Sequence, residues 1–228
     1  MRYLIAGTNP EITALGDDLL QRGLLISRAQ SPDDMMAFLD LMESDLMVIE
    51  AGWLCRDGLS LQSLRRRQPD LPTALFQALP DGAEPGAWLS LGADTVVNAA
   101  LSADEIAARL MAVARRAHGV ATPHLRLGPL HLDLERRTAA LRGEPLGLTP
   151  KVYEVLEFLA LRAGKLVTRE TLLIHMYGLE DEPESRVFDV YMHTLRSRLR
   201  AASGAIDLVT ERGSGVRLRV SESRQNKA

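Results

Sequence analysis

The chain reads as two domains: an α/β domain built on a doubly wound, five-stranded parallel sheet, then a smaller α+β domain. Three observations predict this. Over residues 1–118, short apolar runs of β type alternate five times with segments of helical period, the pattern of an open parallel sheet covered by helices. Beyond residue 124 the order changes to short strands, three helices and a glycine-rich hairpin. The charge also changes sign, with 10 Lys and Arg against 16 Asp and Glu in residues 1–118 and 17 against 14 in residues 119–228. The basic half is the one to test for nucleic acid.

Taken in order, Arg2 to Ala6 is a strand, Ile12 to Arg22 a helix, Leu24 to Ser27 a strand, and Pro32 to Met42 a helix opened by Ser31 as N-cap. Leu46 to Ile49 is a continuous apolar run, as a parallel strand buried on both faces requires. Helix Leu59 to Arg67, strand Thr73 to Phe76, short helix Pro85 to Leu91, strand Thr95 to Val97 and helix Ala103 to Arg116 follow. A small-residue joint rich in glycine and proline over 119–124 separates the domains. In the second, Leu125 to Leu134 alternates, Thr138 to Leu141 is a short strand, and Arg142 to Pro145 turns into a strand over Leu146 to Leu148. Thr149 and Thr168 cap helices over Lys151 to Arg162 and up to Gly178, and an acidic loop, Glu180 to Glu184, precedes the third helix.

That third helix, within Ser185 to Arg200, is the most informative stretch. Phe188, Met192, Leu195 and Leu199 recur at helical spacing on one face. Arg186, His193, Arg196, Ser197 and Arg200 fall on the other, with Asp189 the lone acid, so one side can pack while the other meets phosphate. Ile206 to Thr210 and Val216 to Val220 then flank the hairpin tip Glu211 to Gly215, and residues 222–228 read as a disordered tail.

Other classes are excluded by what the sequence lacks. No apolar run is long enough to span a membrane and the first residues lack a signal-peptide pattern, so a cytoplasmic protein is expected. The single Cys55 rules out an internal disulfide framework. The five histidines lack metal-ligand spacing and no glycine-rich loop cradles phosphate, so neither enzyme nor cofactor is expected.

The order of elements over residues 1–118, with Asp45 to Glu50, Gly92-Ala93-Asp94, Asp104-Glu105 and Arg115-Arg116, resembles the receiver domain of two-component response regulators. Residues 125–221, with Leu148-Thr149, Asp189-Val190, Leu195-Arg196, and Arg212-Gly213 with Gly215, resemble the winged helix-turn-helix domain of the OmpR/PhoB family. Tyr177-Gly178 and Asp181-Glu182-Pro183-Glu184 lean towards its CtrA-like branch.

The resemblance implies a DNA-binding regulator. Val190, Thr194 and Ser197 then face the groove, Arg186, His193 and Arg196 meet phosphates, and Arg212 on the wing reaches the minor groove. Thr194 stands where relatives often carry arginine, exchanging a guanine-type donor for a methyl suited to thymine. Val216 replaces the usual wing tyrosine, which puts one packing contact in doubt. The partners implied are double-stranded DNA, RNA polymerase and a second copy of the chain. That copy would meet the face of the fourth helix, fifth strand and fifth helix through Trp88, Asp94, Glu105, Arg109 and Arg116, with Trp88 either a hydrophobic contact or core.

The phosphorylation machinery is degenerate. Thr8 and Asn9 replace the Mg²⁺-holding acids, Glu50 the phosphoacceptor Asp, Gln77 the hydroxyl residue and Ala99 the lysine; Val96 stands at the aromatic switch and Ala100 at the usual proline. Mg²⁺ needs carboxylate oxygens to hold it, so a pseudo-receiver is expected. Glu50 is then either a charge mimic of an aspartyl phosphate or a carboxylate satisfied by Thr8, Asn9 or Gln77. The rival function is a signalling adaptor whose pseudo-receiver binds a protein or small ligand and whose second domain binds DNA weakly or not at all.

Overall fold

The computed structural model describes residues 1–55, 59–78, 84–179, 186–202, 204–211 and 213–221. The Cys55 side chain, Ser185, the acidic loop, Arg212 and the tail, all named above, lie outside them. The chain forms two compact units, Met1–Ala121 and Thr122–Ala228.

In the first, β1 (Arg2–Ala6), β2 (Leu25–Ala29), β3 (Leu46–Glu50), β4 (Thr73–Gln77) and β5 (Thr95–Asn98) form one parallel sheet in the order β2-β1-β3-β4-β5. The inner strands β1 and β4 are buried along their length and β3 up to Ile49, whereas the edge strand β2 alternates. That is why the inner strands carry unbroken apolar runs. Leu4, Met47, Ile49 and Leu75 pack with Met35 and Leu39 of α2 (Pro32–Leu41), Leu61 and Leu64 of α3 (Leu61–Arg67) and Trp88 of α4 (Pro85–Ser90). Tyr3, Ile5, Val48 and Phe76 point the other way and are equally buried. The remaining helices are α1 (Pro10–Gln21) and α5 (Ala103–Ala117), which touch each other.

α1 begins two residues earlier than its apolar spacing suggests, because Asn9 caps it, its Oδ1 accepting from Glu11 N at 2.8 Å, and Pro10 fills the first turn. Ser31 caps α2 as expected, and Ser60 with Ser63 forms a capping box on α3.

In the second unit the alternating run is a hairpin, β6 (His124–Leu127) and β7 (Leu130–Asp133), folded at Gly128, whose φ is +57°. β8 (Thr138–Leu141) continues it antiparallel. The expected strand at Leu146 to Leu148 is corrected. Arg142 and Gly143, at φ +55° and +89°, make the reversal, so Glu144–Pro145 is the paired strand, β9. Pro145 is tolerated there because β9 is an edge.

α6 (Pro150–Leu161) is buried from Val152 to Ala160, including Glu154 and Glu157. Thr149 occupies its N-cap position without a side-chain cap bond, contrary to the sequence reading, and Pro150 sets the start. Arg137 answers Glu154 at 3.0 Å. Burial beside Glu157 holds the Tyr153 hydroxyl far above its ordinary pKa, so it stays protonated and donates to Asp133 O at 3.2 Å. α7 (Arg169–Tyr177), α8 (Val187–Leu199) and the hairpin β10 (Ile206–Glu211) and β11 (Gly215–Val220) complete the winged helix.

Candidate nucleic-acid interface and strand-end crevice

α8 carries the division its sequence predicts. Phe188, Met192, Leu195 and Leu199 are buried, and the helix packs on α6 and β10. Arg186, Asp189, His193, Arg196, Ser197 and Arg200 are exposed, and Val190 is 58% exposed, high for an apolar side chain on a packed helix. The exposed Arg198 joins the cationic face, although the helical wheel alone did not single it out. Thr194 donates its hydroxyl to Val190 O at 2.9 Å, committing the proton to the backbone and leaving the methyl as its distinctive group.

Two contacts fix α8 from outside. Arg196 Nη2 donates to Thr210 Oγ1 of β10, coupling the helix to the wing, and the hydroxyls of Tyr177 and Tyr191 lie 2.5 Å apart, joining α7 to α8. Neither was visible in sequence, since both join residues 14 positions apart on different elements. The wing is held from below. Val216 is buried and exchanges two backbone hydrogen bonds of 2.8 Å with Val167, so it fills the position where the missing tyrosine left packing in question. One face therefore presents Arg186, His193, Arg196, Ser197 and Arg200 around the apolar Val190, with Asp189 the lone acid, at the width of a major groove.

At the C-terminal ends of the strands the structure brings Thr8, Asn9 and Glu50 together. Glu50 Oε2 accepts from the backbone N–H of Thr8 at 2.9 Å and of Asn9 at 3.1 Å. Gly7 permits this approach: a Cβ there would lie 2.9 Å from both Cβ and Oε2 of Glu50. The partners are backbone groups, so side-chain chemistry at positions 8 and 9 gave no sign of them. Gln77 is buried at the end of β4, and Ala99 is exposed beyond β5.

These residues do not fit a magnesium ion. One Glu50 oxygen is occupied by two N–H donors and the Asn9 oxygen caps α1, leaving one carboxylate where the ion needs several hard oxygens. Among the described residues no group of three His, Cys, Asp or Glu is placed to hold a metal.

The five residues expected on the second-copy face are differently committed. Trp88 is 9% exposed and belongs to the core beneath α4, while Leu89 and Leu91 beside it are 48% and 43% exposed. Asp94 is engaged within the chain, accepting from Arg65 and from Thr73 N at 2.7 Å. Arg65 also donates to Gly92 O at 2.8 Å and Leu71 O at 2.6 Å, clamping the starts of β4 and β5. Glu105 and Arg109 pair along α5 at 2.6 Å, and Arg116 is exposed.

The family described as "Transcriptional regulatory protein, C terminal" matches residues 143–218. The cell cycle response regulators CtrA of Brucella anthropi and of Brucella ovis are each 34% identical over 190 residues, covering 82% of this chain and 82% of theirs. The crystal structure of the response regulator DrrB, a Thermotoga maritima OmpR/PhoB homolog, aligns over 96% of this chain and 98% of its own at 22% identity, with a TM-score of 0.42. No described helix is long and apolar enough to cross a membrane. With its parallel sheet, its winged helix and relatives matched over most of both chains, the protein belongs to the OmpR/PhoB family of DNA-binding response regulators.

Proposed function

We infer that the protein is a sequence-specific transcription regulator acting in the cytoplasm. Residues 125–221 bind double-stranded DNA, and residues 1–118 are a pseudo-receiver that pairs two copies without being phosphorylated. The observation that carries this reading is the lodging of Glu50 Oε2 on the Thr8 and Asn9 amides. Phosphoryl transfer to a carboxylate needs a metal ion to neutralise the incoming charge, and with one Glu50 oxygen held by two backbone amides and no second carboxylate at positions 8 and 9, the ligands for such an ion are lacking. Incubation with a small-molecule phosphodonor and Mg²⁺ is therefore expected to leave the intact mass unchanged. A stable adduct on Glu50 would overturn the reading.

Pairing is supported by α5, acidic at its start (Asp104, Glu105) and basic at its end (Arg115, Arg116), which is self-complementary when two copies meet antiparallel. Because Asp94 is spent within the chain, the exposed Leu89 and Leu91 carry more of the contact. Leu89→Asp is expected to shift the protein to monomer in light scattering while its circular dichroism stays unchanged; an unaltered dimer would count against this face. RNA polymerase is the further partner of this reading. Mobility shifts on genomic fragments test the DNA arm, and failure to retard any duplex in dilute buffer would favour the adaptor function instead.

A further inference from the structure

A cavity of about 270 Å³ opens at the C-terminal ends of β1 and β2, lined by Ile5, Gly7, Thr8, Thr13, Arg28 and Gln30. Arg28 is the residue whose placement needs a reason. It stands on the edge strand β2 yet lies back across α1, Nη1 donating to Thr13 O at 3.1 Å and Nη2 to Asp17 Oδ1 at 2.7 Å. Gly16 makes room for it, since a Cβ there would lie 2.6 Å from Arg28 Nη1. Glycine inside a helix weakens it relative to alanine, so α1 gives up stability to seat this guanidinium. Two of its five N–H groups are used, and three remain. The Thr8 hydroxyl and the Gln30 carboxamide also have no hydrogen-bond partner among the described residues. Thr13 gives its hydroxyl proton to Asn9 O at 3.1 Å, which leaves the oxygen as an acceptor. A fixed planar donor, two hydroxyl oxygens and an amide thus share one small cavity, with Ile5 as its apolar wall.

Charge decides what such a cavity can take. Arg28 is paired with Asp17, Asp34 accepts from Gln30 N at 3.3 Å, and Glu50 stands beside Gly7, where a Cβ would lie 2.9 Å from its Oε2. One cation among three carboxylates repels a phosphate or a carboxylate. A neutral ligand escapes that penalty. Hydroxyl groups both donate and accept, so a polyhydroxylated molecule answers Arg28 and Thr8 as well as the Thr13 oxygen, while its C–H face covers Ile5. We propose that this cavity binds a neutral polyol of monosaccharide size, with Arg28 as the anchoring group. Only the folded unit holds the cavity, so the bound sugar slows the opening of residues 1–121 and their proteolysis. The site lies wholly within residues 1–121 and owes nothing to the DNA-binding reading, so its failure leaves that reading standing.

The test titrates the full-length protein with ribose, arabinose, glucose and galactose, following the amide chemical shifts of Gly7, Thr8 and Gln30. At least one sugar is expected to bind with a Kd of about 1 mM, and its terminal phosphate ester at least about tenfold more weakly. At ten times that Kd, thermolysin cleavage within residues 1–121 should slow by about tenfold. Arg28→Gln is expected to weaken binding by at least about tenfold, and Thr8→Val, which keeps the backbone amide that holds Glu50, by about fivefold. Gly16→Ala guards against a variant that fails to fold: its Cβ meets only the far end of the Arg28 side chain, so it should weaken binding by about tenfold while the circular dichroism and melting temperature hold. Four sugars that all fail to bind below about 10 mM would overturn the proposal. So would a phosphate ester that binds as tightly as its parent sugar, or unchanged affinity in both Arg28→Gln and Gly16→Ala.

Discussion

Gly215→Ala should unfold the wing and abolish DNA binding. A Cβ at this position would sit 2.1 Å from Val167 O and 2.8 Å from Val167 C, backbone atoms that cannot turn aside as a side chain can. The φ of +152° is also one that residues with a Cβ rarely adopt. Relief requires β11 to lift from the turn before α7, breaking both Val167–Val216 hydrogen bonds and exposing Val216. Strain and lost packing together amount to about 3 kcal/mol or more, which for a domain of this size lowers the melting temperature by roughly 10 °C or more. Ser214→Ala, one residue earlier and exposed, should change neither stability nor binding. Calorimetry on the full chain, with hydrogen exchange of the β11 amides, reads the effect, and a melting point within about 2 °C of wild type would refute the account.

Arg196→Ala and Thr194→Ala should separate affinity from preference. Arg196 belongs to the exposed cationic face and is held by Thr210, so on the proposed reading its loss removes a phosphate contact as well as the tie between helix and wing. Binding to all duplexes is expected to weaken by about tenfold, with the salt dependence flattened by about one counterion. Thr194 offers a methyl while its proton stays on Val190 O, so Thr194→Ala should alter the preference at one base pair by a few fold, near 1 kcal/mol, and leave random DNA almost unaffected. Titrations on a selected site and on random duplex at two salt concentrations distinguish the two. Equal losses on both DNAs for both variants would sink the division of roles.

What could be read from the sequence was what local periodicity dictates. The buried face of α8 follows from four apolar residues at helical spacing, and the five-stranded parallel sheet from five alternations of short apolar runs with helices. Contacts that depend on the third dimension were not legible. Glu50 was recognisable as a departure, but its partners are backbone amides more than 40 residues away in sequence. Asp94 looked available for a second copy because nothing nearby in sequence reveals Arg65 across the α3 terminus. The turn was read over Arg142 to Pro145, whereas the reversal is complete at Arg142 and Gly143, because Pro145 reads as a turn residue yet pairs here on an edge strand.

The lodged carboxylate of Glu50 has a consequence for how such a regulator is governed. On the proposed reading, a crevice that holds one Glu50 oxygen on its own backbone and lacks the carboxylates for a metal ion offers upstream kinases no handle, and promoter occupancy follows how much protein the cell holds. Because two copies act together, doubling the supply of free chains raises the paired form about fourfold while monomer predominates. Synthesis and proteolysis would then do the work that phosphate does elsewhere, making the abundance of this chain itself the signal.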